Sequence, residues 1–258
     1  IRGSATTLVN PKGLDVDTNK GLIFVADFGA NAIMVFKTSD VGNVAPTGSL
    51  TLATKPWDLD YDPTNDRLFV ALVDGTVAVF DSYTTNFGAG GPTRVITPTD
   101  SMGAVISTNL HGIVYNAAAD QLYLSDVGSA SVADDGHLFL IDGAAAATGN
   151  TAVTLAIGAG TQGGTNTNAM LGNPVDIAFD GANLYVAEKS QNMVLVFTDF
   201  ATRMSGDIAP DMSFARTRPE SIALDPGTRR DTDFTGGSVT FAPGTTTATF
   251  TVNIISDG

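Results

Sequence analysis

Pro56-Trp-Asp-Leu-Asp-Tyr-Asp62 decides the reading of this chain, because the same pattern occurs at four other places. Pro11-Lys-Gly-Leu-Asp-Val-Asp17 precedes it. Leu110-His-Gly-Ile-Val-Tyr-Asn116, Pro174-Val-Asp-Ile-Ala-Phe-Asp180 and Pro219-Glu-Ser-Ile-Ala-Leu-Asp225 follow. Successive copies begin 45, 54, 64 and 45 residues apart. Periods of that size mark propellers, solenoids or arrays, in which each repeated unit packs on its neighbour.

Working outward, each of the first four copies leads through a short polar turn to a second apolar strand. These are Leu22–Asp27, Leu68–Leu72, Leu122–Asp126 and Leu184–Glu188. The turns Thr18-Asn-Lys-Gly21, Pro63-Thr-Asn-Asp66 and Gly181-Ala-Asn183 carry residues that tolerate positive φ, as hairpins require. Third strands are predicted at Ala32–Phe36, Thr76–Phe80, His137–Ile141 and Met193–Phe197. Weaker fourth strands are predicted at Ser49–Ala53, Arg94–Ile96, Val153–Ile157 and Met212–Phe214. Four antiparallel strands per unit make a β-propeller blade, with the first strand innermost. Near-continuous apolar runs in strands two and three fit sheets covered on both faces. No stretch keeps a helical period, so the expected class is all-β.

The run Pro11-Lys-Gly-Leu-Asp-Val-Asp, Gly21-Leu-Ile-Phe-Val-Ala-Asp, Asn31-Ala-Ile-Met-Val-Phe resembles the NHL-repeat and YVTN group of β-propellers, over about residues 5–225. The spacer Gly42-Asn-Val-Ala-Pro46 returns as Gly206-Asp-Ile-Ala-Pro210, in keeping with that resemblance. It implies a fold more than a function, since the repeat residues are mostly structural. The last unit departs from the pattern after Asp225. Ser238–Ala242 and Thr247–Ile255 form a predicted hairpin across Pro243-Gly-Thr-Thr246, with alternating Ala248, Phe250, Val252 and Ile254. Together with Asp231-Thr-Asp-Phe and Ile255-Ser-Asp-Gly258, this hairpin resembles part of a Calx-β domain, a family that often holds calcium in acidic loops. About thirty residues match, too few for a whole Calx-β sandwich.

The expected organisation is therefore a propeller over residues 1–226 and a hairpin tail over 227–258. The tail either completes the last blade or is a partial Calx-β-like segment. Strand counting gives five four-stranded blades, with six the alternative. In that count Ser4–Val9 is a strand that pairs with the last blade and closes the ring, removing exposed sheet edges. Insertions around Ser82–Thr108 and Gly143–Leu171 are candidate binding loops or passive surface.

Composition narrows the chemistry. A net charge of −14 disfavours nucleic acid and anionic lipid surfaces. With no cysteine, thiolate zinc sites, disulfides and cysteine catalysis are excluded. No apolar run of membrane-spanning length is present, so no membrane insertion is expected. Ile1-Arg-Gly-Ser4 does not read as a signal peptide, which is expected to have been removed or to lie outside this sequence. Phosphate-cradling loops and the G-x-S-x-G elbow are missing.

Candidate site residues come from aligning the copies. Lys12, Trp57, His111, Val175 and Glu220 each follow the unit's first residue, and should gather at one channel mouth. Gly13, Asp58, Gly112, Asp176 and Ser221 come next. Lys12, Trp57 and His111 are candidate ligand contacts, Trp57 as a stacking platform or a packing residue. Asp58, Asp176 and Glu220 are candidate ligands for a hard cation such as Ca²⁺, or ordinary polar residues around trapped water. Lactonase-like propellers hold such a metal with acids and Asn, but their fuller ligand set is not recognisable here. The repeated acids Asp15, Asp17, Asp60, Asp62 and Asp180 are expected to cap turns, and His137 to flank a turn.

The leading expectation is a non-enzymatic, secreted extracellular or cell-envelope propeller. It would act in structure or protein interaction, with no required cofactor and with self-association through its tail hairpin. The alternatives are a calcium-dependent hydrolase resembling lactonases, with its site at the channel mouth, and a glycan- or peptide-binding propeller using Trp57 and the insertions.

Overall fold

The computed structural model describes residues 1–129, 132–159 and 164–224. The compact unit Ile1–Ala223 holds all of these but Leu224. The Calx-β-like hairpin expected over 227–258 lies outside the described residues. Four sheets follow one another along the chain. Sheet one contains β1 (Pro11–Asp17), β2 (Leu22–Asp27), β3 (Ala32–Lys37) and β4 (Gly48–Thr51) in that spatial order. Sheet two contains β5 (Pro56–Asp62), β6 (Arg67–Leu72), β7 (Val77–Asp81) and β8 (Arg94–Thr99). Sheet three is built from β9 (Leu110–Asn116), β10 (Gln121–Asp126), β11 (His137–Asp142) and β13 (Leu155–Ile157). Sheet four is β14 (Pro174–Phe179), β15 (Leu184–Glu188), β16 (Met193–Phe197) and β17 (Met212–Ala215). Within these four-strand meanders every pairing is antiparallel.

The first strands lie side by side in chain order: β1 against β5, β5 against β9, and β9 against β14. Leu14, Leu59, Ile113 and Ile177 occupy the same register, opposite Val25, Val70, Leu124 and Val186. Alternate residues of a strand serve different interfaces, which is why the runs read as continuously apolar. Leu68 and Val70 pack towards sheet one with Phe24, Ile33 and Leu59. Phe69 and Ala71 pack towards sheet three with Ile113, Leu122 and Leu124. A third cluster, around Tyr123, Leu140, Ile177 and Phe197, joins sheets three and four. The central residue of each first strand faces the preceding sheet. Leu59, Ile113 and Ile177 are each 3% exposed, whereas Leu14, with no preceding sheet among the described residues, is 65% exposed.

The strand expected at Ser4–Val9 is not formed, and the last blade it was expected to close lies largely outside the described residues. Ser4–Thr6 is a single 3₁₀ turn and not a strand, and the segment belongs to sheet one. Leu8 packs on Val25, Met34 and Phe36, and the amides of Val9 and Asn10 donate to the Asp27 carboxylate. That buried acceptor draws the segment onto its own sheet.

The insertions are mostly surface but send a few residues into the interior. Ser82 leads into a one-turn helix, α1 (Tyr83–Asn86), which drives Tyr83 into the interface between sheets one and two. The second insertion supplies a strand, β12 (Gly149–Ala152), that pairs parallel to β8 and gives sheet two a fifth strand. Ala169 and Leu171 are fully buried against sheet four. The Tyr83 hydroxyl is buried without a partner among the described residues, and its burial pushes the phenol's pKa up. Tyr83→Phe is therefore expected to leave stability unchanged or raise it by about 1 kcal/mol, as read from denaturant midpoints.

Candidate functional site

The aligned positions after each unit's first residue do meet, and local backbone geometry explains how. β1, β5 and β14 each break register between residue one and residue three of the unit, at Pro11/Gly13, Pro56/Asp58 and Pro174/Asp176. In β9 the shift falls opposite the Leu124–Asp126 stretch. A bulge at this point turns the intervening side chain out of the sheet's alternation. Lys12, Trp57 and His111 then stack in chain order. The Lys12 ammonium lies 4.7 Å from the Trp57 ring centre. Trp57 and the His111 imidazole are 3.5 Å apart between centroids and within 8° of parallel. Phe28 meets Trp57 edge-on at 5.5 Å, and Lys55 sits 4.3 Å over Phe28. Val175, the next equivalent, is buried.

Trp57 and His111 border a cavity of about 770 Å³, shared with Phe28, Lys55, Asn109 and Asn173. His111 is 5% exposed. Its Nδ1, the Asn109 Oδ1 and the Asn173 Oδ1 are buried without a hydrogen-bond partner among the described residues. Burial, then the charges of Lys12 and Lys189, push the His111 pKa down to about 3. The ring is therefore neutral at physiological pH. Sequence reasoning missed Lys55, Asn109 and Asn173. A signal was present, since each stands immediately before a unit's first residue, as do Asn10 and Arg218.

Buried carboxylates at the ends of the second strands hold the loops around this cavity. Asp126 accepts the amides of Thr108, Asn109 and Gly128. Glu188 accepts those of Gly172, Asn173, Ser190 and Gln191. Asp27 does the same in sheet one. In sheet two the matching residue, opposite Pro56, is Leu72. There Asp74 supplies the acceptor instead, to Thr76 and Thr54.

The candidate metal residues Asp58, Asp176 and Glu220 all border a second interior space of about 410 Å³. Each already has partners. Asp58 accepts the Ile113 amide at 3.3 Å, Asp176 accepts those of Ile177 and Ile222 at 2.8 Å, and Glu220 pairs with Lys189 at 2.5 Å. Burial, then the neighbouring Asp176 charge, holds the Asp58 carboxyl well above its ordinary range, and burial raises Asp176. Among the described residues no three His, Cys, Asp or Glu side chains converge closely enough to hold an ion.

The repeated acids divide into two sets. Asp17, Asp62 and Asp180 cap hairpin turns through the amides two and three residues on, as expected. Asp15 and Asp60 do not. Asp15 accepts the Tyr61 amide from the neighbouring first strand at 2.9 Å, and Asp60 accepts that of Tyr115 at 2.7 Å. With the Asp58 bond they form carboxylate staples from β1 to β5 and from β5 to β9, and Asp176 on β14 holds the segment at Ile222 in the same way. The close approach needs small neighbours. A β-carbon on Gly13 would lie 1.9 Å from the Asp58 Oδ1. His137, buried and stacked on Phe139, borders neither cavity.

No protein-family model matches the chain, and no curated protein matches it. Solved structures do. A chain of a nidogen/laminin complex superposes with a TM-score of 0.57 at 16% identity, over 83% of this chain and 68% of that one. A putative 6-phosphogluconolactonase from Bacteroides uniformis gives 0.51 at 15%, over 81% of this chain and 56% of that one. Hydrazine synthase of Kuenenia stuttgartiensis gives 0.51 at 13%, over 84% and 78%. At these identities the likeness concerns the fold alone, which is all-β and β-propeller-like.

Proposed function

We propose that this chain is a non-enzymatic binding module of an extracellular or cell-envelope protein, with its recognition surface at the Lys12–Trp57–His111 stack. One observation carries the reading: the side chains that could turn over a substrate are already committed to holding inner strands together. Asp58 accepts the Ile113 amide from the next inner strand, and Asp176 accepts the Ile222 amide from the segment that follows β17. His111 is neutral and packed flat against Trp57. A cavity bordered by unpartnered polar atoms suits capture more than turnover. The nidogen/laminin likeness is compatible with a role in protein association, and the NHL/YVTN resemblance supports a repeat-built scaffold. A fifth blade finds support in residues 219–223, where the Ile222 amide meets Asp176 as Ile113 meets Asp58. No helix among the described residues is long and apolar enough to cross a membrane.

The second reading, a calcium-dependent lactonase-like hydrolase, draws on the lactonase likeness and on the carboxylates around the smaller space. Thermal unfolding and lactone hydrolysis with and without CaCl₂ separate the two. We expect no calcium-dependent rise in melting temperature and no turnover above buffer. A saturable rise with turnover, both lost in Asp58→Asn and Asp176→Asn, would establish the hydrolase instead.

A further inference from the structure

The larger cavity has a charge unlike that of the chain around it. Of the chain's five lysines, Lys12, Lys55 and Lys189 surround the Trp57–His111 stack. Among the described residues no carboxylate lines the cavity itself, and Asp126 and Glu188 behind its wall are occupied by backbone amides. Lys189 is paired with Glu220. Lys12 and Lys55 have no ion-pair partner among the described residues and rest on aromatic faces. Against the overall charge of −14, Lys55 on the cavity wall, with Lys12 over the neighbouring Trp57 ring, is a positive feature that draws in an anion.

The available donors narrow the class of anion. Backbone N–H groups usually cradle phosphate, but here they are engaged. Those of Gly128 and Asn109 go to Asp126, that of Ser129 to Asp135, and those of Gly172, Asn173 and Ser190 to Glu188. What remains is the Lys55 ammonium and the Nδ2 groups of Asn109 and Asn173, whose Oδ1 atoms are buried in the wall with the His111 Nδ1. Three side-chain donors match the two oxygens of a carboxylate. Phe28, Val73 and Val127 supply an apolar wall opposite.

Resting on the binding reading above, we propose that this cavity takes a carboxylate attached to an apolar or aromatic body. The carboxylate lies between Lys55, Asn109 and Asn173, beside the Trp57–His111 stack, and the body lies along Phe28. A small organic acid and the free C-terminus of a peptide share this chemistry.

Trp57 is the chain's one tryptophan, so intrinsic fluorescence reads the site directly. The full chain is titrated with 3-phenylpropanoate, its amide 3-phenylpropanamide, inorganic phosphate, and the tripeptide N-acetyl-Gly-Gly-Phe with a free or amidated C-terminus. Expected are saturable changes with one or both carboxylates and none with the amides or phosphate. The preferred source is the one that binds more tightly. Lys55→Gln weakens binding by about tenfold or more, while Lys37→Gln, an exposed change on β3, leaves it unaltered. An equal response to the amides or to phosphate overturns the proposal. So does an unaltered affinity in Lys55→Gln, or silence up to about 10 mM ligand. The lactone assay above is independent of this titration, so the two readings fail separately.

Discussion

Glu188→Ala is expected to destabilise the protein by about 3–5 kcal/mol, among the largest effects of any single substitution outside the apolar core. Glu188 is fully buried, and its two oxygens accept amides on both sides of the cavity: Gly172 and Asn173 from the chain leading into β14, Ser190 and Gln191 from the turn after β15. Removing the carboxylate leaves the buried Gly172 amide and three half-buried amides unmatched at once, and each unmade bond carries part of its desolvation penalty. Glu188→Leu should fare no better, even though Leu72 holds the same register in sheet two. Leu72 is tolerated where Asp74, two residues on, accepts the Thr76 amide and the Thr54 hydroxyl; the corresponding residue of sheet four is Ser190, which brings no carboxylate to take four amides. Chemical denaturation of both variants checks this; a loss under about 1 kcal/mol in either would contradict the assignment. Asn173 should also shift, so Glu188→Ala is expected to weaken any ligand held by that carboxamide.

Stability is expected to peak on the acid side of neutrality and to fall by on the order of 2–4 kcal/mol between about pH 5 and about pH 8. The sign follows from the buried acids. Burial, then the neighbouring Asp15 charge, pushes Asp60 up to about 7, and burial pushes Glu188 up to about 7. Asp58, Asp176 and Asp126 are raised as well, burial leading in each. In the unfolded chain these groups ionise near 3.8 to 4.5. Between those values and about 7 the native state holds more protons, so raising the pH favours unfolding. Below about pH 4 a different group takes over. Although burial opposes it, the hydrogen bonds of Arg67 and Arg94 hold Asp81 down at about 2, and that contribution is lost as pH falls towards 2. Asp60 borders the smaller interior space, and water there tempers its share of the shift. Asp60→Asn keeps an oxygen for the Tyr115 amide while removing the charge. It should stabilise the protein by about 1–3 kcal/mol at about pH 8 and change little at about pH 5. Denaturant midpoints across pH test this, and a wild-type curve that rises from about pH 5 to about pH 8 would refute it.

Strand positions were legible because local pattern and tertiary environment agree in the inner three strands of the first four units, whereas Pro219–Leu224 forms no strand. Residues such as Leu68–Leu72 are apolar throughout since each face meets a sheet, and the turns after Asp17, Asp62 and Asp180 are capped locally. Contacts between units were not legible, because nothing in a local window marks them. Asp15 and Asp60 look like their turn-capping neighbours two residues on, yet their side chains reach the adjoining strand. Ser4–Val9 has strand-like length, but Asp27 captures its amides. The insertions read as bland surface, and the burial of Tyr83, Ala169 and Leu171 depends on interfaces formed far away in sequence. At the site, Trp57 and His111 were found because the unit's second position was compared across copies. Asn109 and Asn173 were missed because the comparison began one residue too late.

The parallel pairing of β12 with β8 has a consequence for modularity. A chain of repeats invites exchange of whole units, as though each were a cassette. Gly149–Ala152 is encoded in unit three but completes the outer edge of sheet two, so excising or transplanting unit three would strip its neighbour of a strand. Units two and three are heritable only as a pair.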